Sequence, residues 1–278
     1  MYKKSLIAIA VILASVVAQA AISEIRVDLK LDASSYVVGE RIRAVVDIAN
    51  SSPDVISVGN SNSTDRLILE VFRKSDGSQL DRATNRRFTA PFVIGHNQGQ
   101  KLETFLADNY GLAHLGAYTV RAVLIHRRMR YEGPIHAFDI VPGITLTGAL
   151  QLFKSRPDQQ REFEIAKWSR DGKEHVFLKS RDVAPRERRW PTFDLGPYMK
   201  ISPPVVAVQT NGEVLVIHRL DPQKFSRSEF WSLPDGVYAR GSIMIRDPET
   251  AGQERVQEVF NNGKPVAPKD DPWWKFWK

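Results

Sequence analysis

The 278-residue chain contains no cysteine. That excludes a disulfide framework, thiol chemistry and lipid attachment at a cysteine. Catalytic signatures are missing as well: there is no Gly-x-Ser-x-Gly, no phosphate-cradling glycine loop and no dinucleotide fingerprint. The six histidines, His96, His114, His126, His136, His175 and His218, never fall in His-x-x-x-His, His-x-His or Glu-x-x-His spacing. No local metal motif therefore exists. No cofactor is expected, and enzymatic activity is not the leading expectation. Acidic residues are absent from positions 1–20. Beyond that segment no apolar run approaches the ~20 residues a membrane helix needs.

What is present begins with an export signal. Lys3 and Lys4 precede an apolar stretch from Leu6 to Val17, and Ala18-Gln19-Ala20 fits a small-x-small cleavage site. Residues 1–20 read as a secretory signal peptide, cut after Ala20 or Ala21, with an uncleaved anchor as the alternative. The expected location is the periplasm or the extracellular space, with membrane association as a further option. An exported, cysteine-free chain of this kind looks bacterial. At 42% hydrophobic and 26% charged residues, a packed core is expected. The formal charge is +7, or +5 without Lys3 and Lys4. That is too mild to argue for nucleic acid, and no such partner is expected.

Hydrophobic alternation then predicts an all-β chain. Ile25 to Leu31 is a first strand. After the Gly39-Glu40 turn, Ile42, Ala44, Val46 and Ile48 share one face of a strand over Arg41 to Asn50. Ser51 to Asp65 reads as loop. Further strands are predicted at Leu67–Arg73, Gln79–Arg82, Phe88–Ile94, Lys101–Leu106, Thr119–His126 and Ile135–Val141. Asp76-Gly77 marks a hairpin and Arg127 to Gly133 a charged turn. So many short strands, with turn signals every few residues, predict an antiparallel β-sandwich over residues 22–142.

Residues 143–260 read as a second β-rich domain. Thr147 to Phe153 is a strand. Glu162–Trp168 and His175–Lys179 flank Asp171-Gly172; Val205–Gln209 and Glu213–His218 flank Asn211-Gly212. Both are hairpin signals. The two glycines lie 40 positions apart, which also admits a propeller-like repeat, although two copies are too few for a ring. Gly241–Arg246 is one more strand, and Glu254–Phe260 is either strand or a short helical turn. Glu162 and Glu164 share a strand face, as a carboxylate pair would, but alternation with Phe163 and Ile165 favours a solvated face.

Two features stand out as recognition elements. Arg186, Arg188, Arg189 and Trp190 combine guanidinium groups with an indole, the chemistry of an anion-binding surface, or of a charged loop anchored by one Trp. Residues 261–278 form a Pro-rich linker ending in Trp273, Trp274, Phe276 and Trp277. Three of the six tryptophans fall in the last six residues. Such a cluster suits an envelope protein or membrane surface as partner, or a groove on the chain's own second domain.

The Leu115-Gly116-Ala117-Tyr118 stretch resembles the tyrosine corner of immunoglobulin-like and fibronectin type III-like domains. From Tyr36-Val-Val-Gly-Glu to Gly116-Ala-Tyr-Thr-Val, the first half is similar to macroglobulin-type and BsuPI-type Ig-like modules. The resemblance is one of fold, and it implies a Tyr118 hydroxyl tied back to the preceding loop. It departs from antibody domains in lacking a Cys pair and, in this half, any Trp. A fold implies no function. The leading expectation is an exported, non-enzymatic binding or scaffold protein of the bacterial periplasm or envelope. A proteinase inhibitor, implied by the inhibitor-associated modules, and an envelope-polymer hydrolase are the alternatives.

Overall fold

The computed structural model describes residues 24–60, 63–83 and 89–246, with the short pairs 260–261 and 264–265. The predicted signal peptide, most of Glu254–Phe260 and the aromatic tail lie outside these residues. What is described is almost wholly β, with one four-residue helix, α1 (Leu106–Asn109).

The first unit holds ten strands: β1 (Ile25–Leu31), β2 (Ser35–Val37), β3 (Arg43–Asn50), β4 (Ile56–Val58), β5 (Arg66–Arg73), β6 (Phe92–Ile94), β7 (Gln98–Phe105), β8 (Gly116–His126), β9 (Met129–Glu132) and β10 (His136–Val141). One sheet runs β1-β3-β7 and the facing one β2-β10-β8-β5, with β9 folded back on β8 and β4 paired to β6. Period-two alternation aims one face of each strand inward. On β3 and the turn before it Ile42, Ala44, Val46 and Ile48 are buried, and Leu29, Val71, Val120 and Leu124 meet them from the other strands. The Tyr118 hydroxyl donates to the His114 carbonyl at 2.8 Å. Tyr36, four residues after Asp32, repeats the device on β2: its hydroxyl donates to Asp32 Oδ1 at 2.6 Å and accepts the Ala33 N–H at 3.0 Å.

The second unit holds nine strands: β11 (Ile144–Phe153), β12 (Arg156–Arg170), β13 (Lys173–Ala184), β14 (Arg188–Arg189), β15 (Phe193–Pro197), β16 (Val205–Val208), β17 (Glu213–Asp221), β18 (Lys224–Leu233) and β19 (Gly236–Arg246). They form a sheet β11-β12-β13, extended by β14 and β15, and a sheet β16-β17-β18-β19. Phe163, Ile165, Val176 and Leu178 from the first meet Val214, Val216 and Phe230 from the second. The β12–β13 hairpin turns on Asp171 and Gly172, both with positive φ (50° and 74°). That is the geometry an Asp-Gly pair supplies in a tight hairpin. Among the described residues the sheets form no repeating ring, so the propeller reading of the 40-residue spacing is not realised there.

Four stretches depart from the sequence reading. The predicted strand Gln79–Arg82 is irregular, holding only isolated bridges from Gln79 to Phe72 and from Arg82 to Tyr110. The predicted loop Ser51–Asp65 contains β4, pinned by Asp65, whose carboxylate accepts the Ser57 N–H at 2.9 Å. The predicted charged turn Arg127–Gly133 is a hairpin: Arg127 and Arg128 adopt positive φ (49° and 68°), and β9 returns along β8. Strand β18 has no counterpart in the apolar alternation, because its buried positions include Ser226, Ser228 and Ser232.

Candidate functional site: the seam between the two units

The turn that the sequence marks with Gly39-Glu40 is where the two units join. Gly39 has φ +86°, and a Cβ there would stand 2.8 Å from Thr192 Oγ1. Only glycine fits both the backbone and the approach. Thr192, just before β15, donates its N–H to the Gly39 carbonyl (2.9 Å) and its hydroxyl to the Val38 carbonyl (2.7 Å). Trp168 Nε1 donates to Ser35 Oγ at 2.9 Å. Beside them Arg170 Nη2 contacts both Glu40 carboxylate oxygens at 2.7 Å, and its Nη1 reaches Asp194 at 2.9 Å.

Glu40 is 8% exposed and also accepts the Val37 N–H at 3.0 Å. Burial pushes its carboxyl up to about 7, with the Arg170 bonds holding it from going further. An ion pair this enclosed fixes geometry more than it adds net stability. It ties the turn before β3 to the end of β12.

Two clefts flank the seam and share Trp190 and Thr192. The larger, about 580 Å³, is walled by Arg41 and Phe105 of the first unit and by Arg188, Trp190, Phe193 and Tyr238 of the second. That volume is within the range of ordinary ligand sites. The smaller, about 360 Å³, is lined by Glu162, Glu164, Lys179, Arg181 and Arg189 among others.

In the smaller cleft the two carboxylates are already neutralised. Arg181 pairs with Glu162 at 2.7 Å and Lys179 with Glu164 at 2.9 Å, while the Thr145 hydroxyl also donates to Glu164. Burial raises the Glu164 carboxyl, but the Thr145 and Lys179 bonds outweigh it and hold the group below its ordinary range. Glu164 therefore carries no proton to donate near neutral pH, which a general acid must do.

The larger cleft has a different character. The Trp190 indole is 8% exposed and packs into the second core, so it anchors its loop instead of presenting a free ring. Its Nε1 has no hydrogen-bond partner among the described residues. The Arg188 guanidinium stacks 4.0 Å from the ring centroid, exposed and with no ion pair among the described residues. Arg186 and Arg189 are exposed, Arg189 standing 3.9 Å from Glu187. Of the residues expected to bind a partner, Arg188 and Trp190 thus line one groove and Arg189 lines the neighbouring cleft. Trp273, Trp274, Phe276 and Trp277 lie outside the described residues. No group of three His, Asp or Glu side chains among the described residues is arranged to hold a metal ion.

Sequence reasoning missed the group behind the groove. Arg161 is fully buried: Nε bonds Asp182 Oδ1 (2.7 Å), and Nη1 bonds Ser232 Oγ and the carbonyls of Leu233 and Gly236 (2.8–2.9 Å). Its guanidinium lies 4.8 Å from the Trp190 ring centroid. This ties the β18–β19 turn, which forms one rim of the groove, to the β12–β13 sheet. The available signal was the alternation Arg161, Phe163, Ile165, which places the Arg on the inward face.

No protein-family model matches the chain, and no curated protein matches it. Among solved structures it is similar to an alkylpurine DNA glycosylase, AlkC of Pseudomonas fluorescens, bound to DNA containing an abasic site analog. The identity is 15% and the TM-score 0.26, over 42% of this chain and 30% of that one. The match spans under a third of the glycosylase, and at that score it carries no argument about this chain.

Proposed function

We propose that this is an exported, non-enzymatic binding protein of the bacterial periplasm or cell envelope, with an Ig-like first unit. Its ligand site is the groove between the two units. The observation that carries the reading is the pairing of Trp190 and Arg188 in that groove. The exposed Arg188 guanidinium, without an ion pair among the described residues, stacks over the largely buried Trp190 ring, and the Glu162 and Glu164 carboxylates of the smaller cleft are ion-paired. Those are attributes of a binding hot spot, and Glu40, the groove carboxyl that burial raises to about 7, has both oxygens engaged by Arg170. The lysine-flanked apolar N-terminus supports export.

The test is made in a bacterial host with the full chain. A processed form released with the periplasm supports export; an unprocessed cytoplasmic form overturns it. Envelope extract is then passed over immobilised wild type and Arg188→Glu. A partner retained by the first and lost by the second supports the groove. Equal retention moves the site elsewhere, and turnover of an envelope polymer by purified protein sinks the non-enzymatic reading.

A further inference from the structure

The β8–β9 hairpin turns on two residues that its backbone disfavours. Arg127 and Arg128, between the paired His126 and Met129, both adopt positive φ (49° and 68°). A two-residue turn of that kind suits Asn-Gly, because a larger side chain is strained there. Both arginines are exposed, so no buried contact offsets the strain. Strain that packing does not offset is a pointer to a functional position.

The side chains around the turn share a character. Met129 is 58% exposed. Arg127 pairs with Asp54, which places Val55 beside it. Val55 and Val93, 57% and 55% exposed, lie on the solvent face of the β4–β6 ladder, since Ile56 and Ile94 take its buried face. Three apolar side chains thus stand around two guanidinium groups at the tip of the first unit. The acidic groups nearby are engaged. Asp54 is held by Arg127, Asp65 is buried against His126, and Glu70 and Glu132 are bonded by Arg121 and Arg130. Glu24 and Arg26, at the start of β1, add one charge of each sign. Arg128 and Arg66, the latter across β8 from Arg130, have no ion pair among the described residues and leave the tip positive.

A protruding hairpin offers no concave site to a small molecule. Separated apolar side chains beside uncompensated arginines suit a soft anionic surface, where the apolar groups enter the headgroup layer and the guanidinium groups meet phosphate. We infer that the β8–β9 tip docks the first unit on an anionic phospholipid bilayer, with Met129, Val55 and Val93 in the headgroup layer and Arg127 and Arg128 on lipid phosphates. The other end of β8 adjoins His114 and Leu115 of the smaller cleft, roughly 35 Å away at ~3.4 Å per residue. Docking at the tip therefore leaves the seam free, and the inference does not depend on the groove reading.

The absence of cysteine makes a local test simple. Full-length Met129→Cys carries a polarity-sensitive fluorophore, and Gln223→Cys, between β17 and β18, carries the same label as a control. Each is titrated with vesicles of phosphatidylcholine alone and of phosphatidylcholine mixed with phosphatidylglycerol. The expected result is a blue shift at position 129 with the mixed vesicles only, and none at position 223. Adding Arg127→Asn and Arg128→Gly to Met129→Cys should raise the denaturation midpoint, because the turn is relieved, yet weaken the vesicle response about 30-fold. A purely structural turn would gain stability without losing the vesicle response. No shift at position 129, an equal shift with both vesicle types, or a shift kept by the triple substitution overturns the inference. A midpoint that falls overturns it too, since the arginines would then hold the turn by contacts of their own. If vesicles give no shift but immobilised polyglutamate retains the protein through Arg127 and Arg128, the tip belongs to an acidic macromolecule and the bilayer is ruled out.

Discussion

The two cores of this molecule are built differently. In the first, Leu29, Ala44, Val46, Ile48, Val71, Val120 and Leu124 are all fully buried, and the tyrosines among them send their hydroxyls to nearby carbonyls or to Asp32. In the second, Phe163, Ile165, Val176 and Leu178 share the interior with Arg161, Asp182, Gln151, Gln159, Ser226, Ser228 and Ser232. The first core cluster is specified by area removed from water, a term that tolerates exchange of one aliphatic for another, although its unit also buries Asn50, Glu70, Asn109 and His126. The second is specified by a network in which each member needs its partner, so errors there are costly. The difference follows position. Arg161, Asp182, Gln151, Gln159 and Ser232 lie behind the groove and hold the β18–β19 turn, whereas Ser226 and Ser228 bond Ser242 farther along the hairpin.

Removing Arg161 breaks this comparison most severely. Arg161→Ala strips Asp182 of its cation and leaves Ser232 and the carbonyls of Leu233 and Gly236 without their donor. Breaking a buried pair by deleting one partner costs about 3–5 kcal/mol. Denaturant unfolding should show that loss, carried by the second unit, with Trp190 fluorescence reporting early exposure. A loss below ~1 kcal/mol would mean that the network is not what holds the β18–β19 turn.

The same contrast explains how much was legible in the sequence. Where burial of alternate apolar residues decides, reading was direct: Ile25–Leu31 matches β1 at both ends, and Asp171-Gly172 sits at the turn it signals. Tyr118 makes the hydrogen bond that the tyrosine-corner resemblance implies. Strand β18 was illegible because serines occupy core positions that the pattern expects to be apolar. The seam was legible on one side only. Gly39-Glu40 is visible as a turn, but nothing local tells that Thr192 and Arg170, well over a hundred positions away, close on it. Trp190 stood out by type, while its burial beside Arg161 was not visible: alternation with Phe163 and Ile165 turns Arg161 inward but does not name Asp182, Ser232 or Trp190 as its neighbours.

A medium effect separates the seam from the units it joins. Burial pushes the Glu40 carboxyl up to about 7 from its ordinary 4.5, because it disfavours the charge more than Arg170 compensates. Between those values the docked form binds more protons than the undocked one, so docking weakens as pH rises from about 4.5 to about 7 and levels off above. Limited proteolysis or hydrogen exchange at Val37–Gly39 and Thr192 should therefore show a tighter seam at pH 5 than at pH 8. The Glu40→Gln variant, with no titrating carboxyl, should lose that slope. A slope running the other way would mean that the ionised Glu40–Arg170 pair is the dominant stabiliser. Gly39→Ala should loosen the seam at every pH, since φ +86° and the 2.8 Å approach to Thr192 do not titrate.

The smallest expected effect distinguishes two tyrosines of like geometry. Tyr118→Phe removes one hydroxyl bond, to the His114 carbonyl, at a cost of about 0.5–1.5 kcal/mol, confined to the first unit. Tyr36→Phe removes two, from Ala33 N–H and to Asp32, and Tyr36 also lies 5.6 Å from the Arg170 guanidinium at the seam. Both variants should lower the first unit's denaturation midpoint by similar small amounts, but only Tyr36→Phe should also quicken exchange at Thr192. If Tyr118→Phe did so as well, the seam would be sensing the stability of the whole first unit. If neither did, the Gly39–Thr192 bonds and the Glu40–Arg170 pair would hold the two units together without help from the ring beside them.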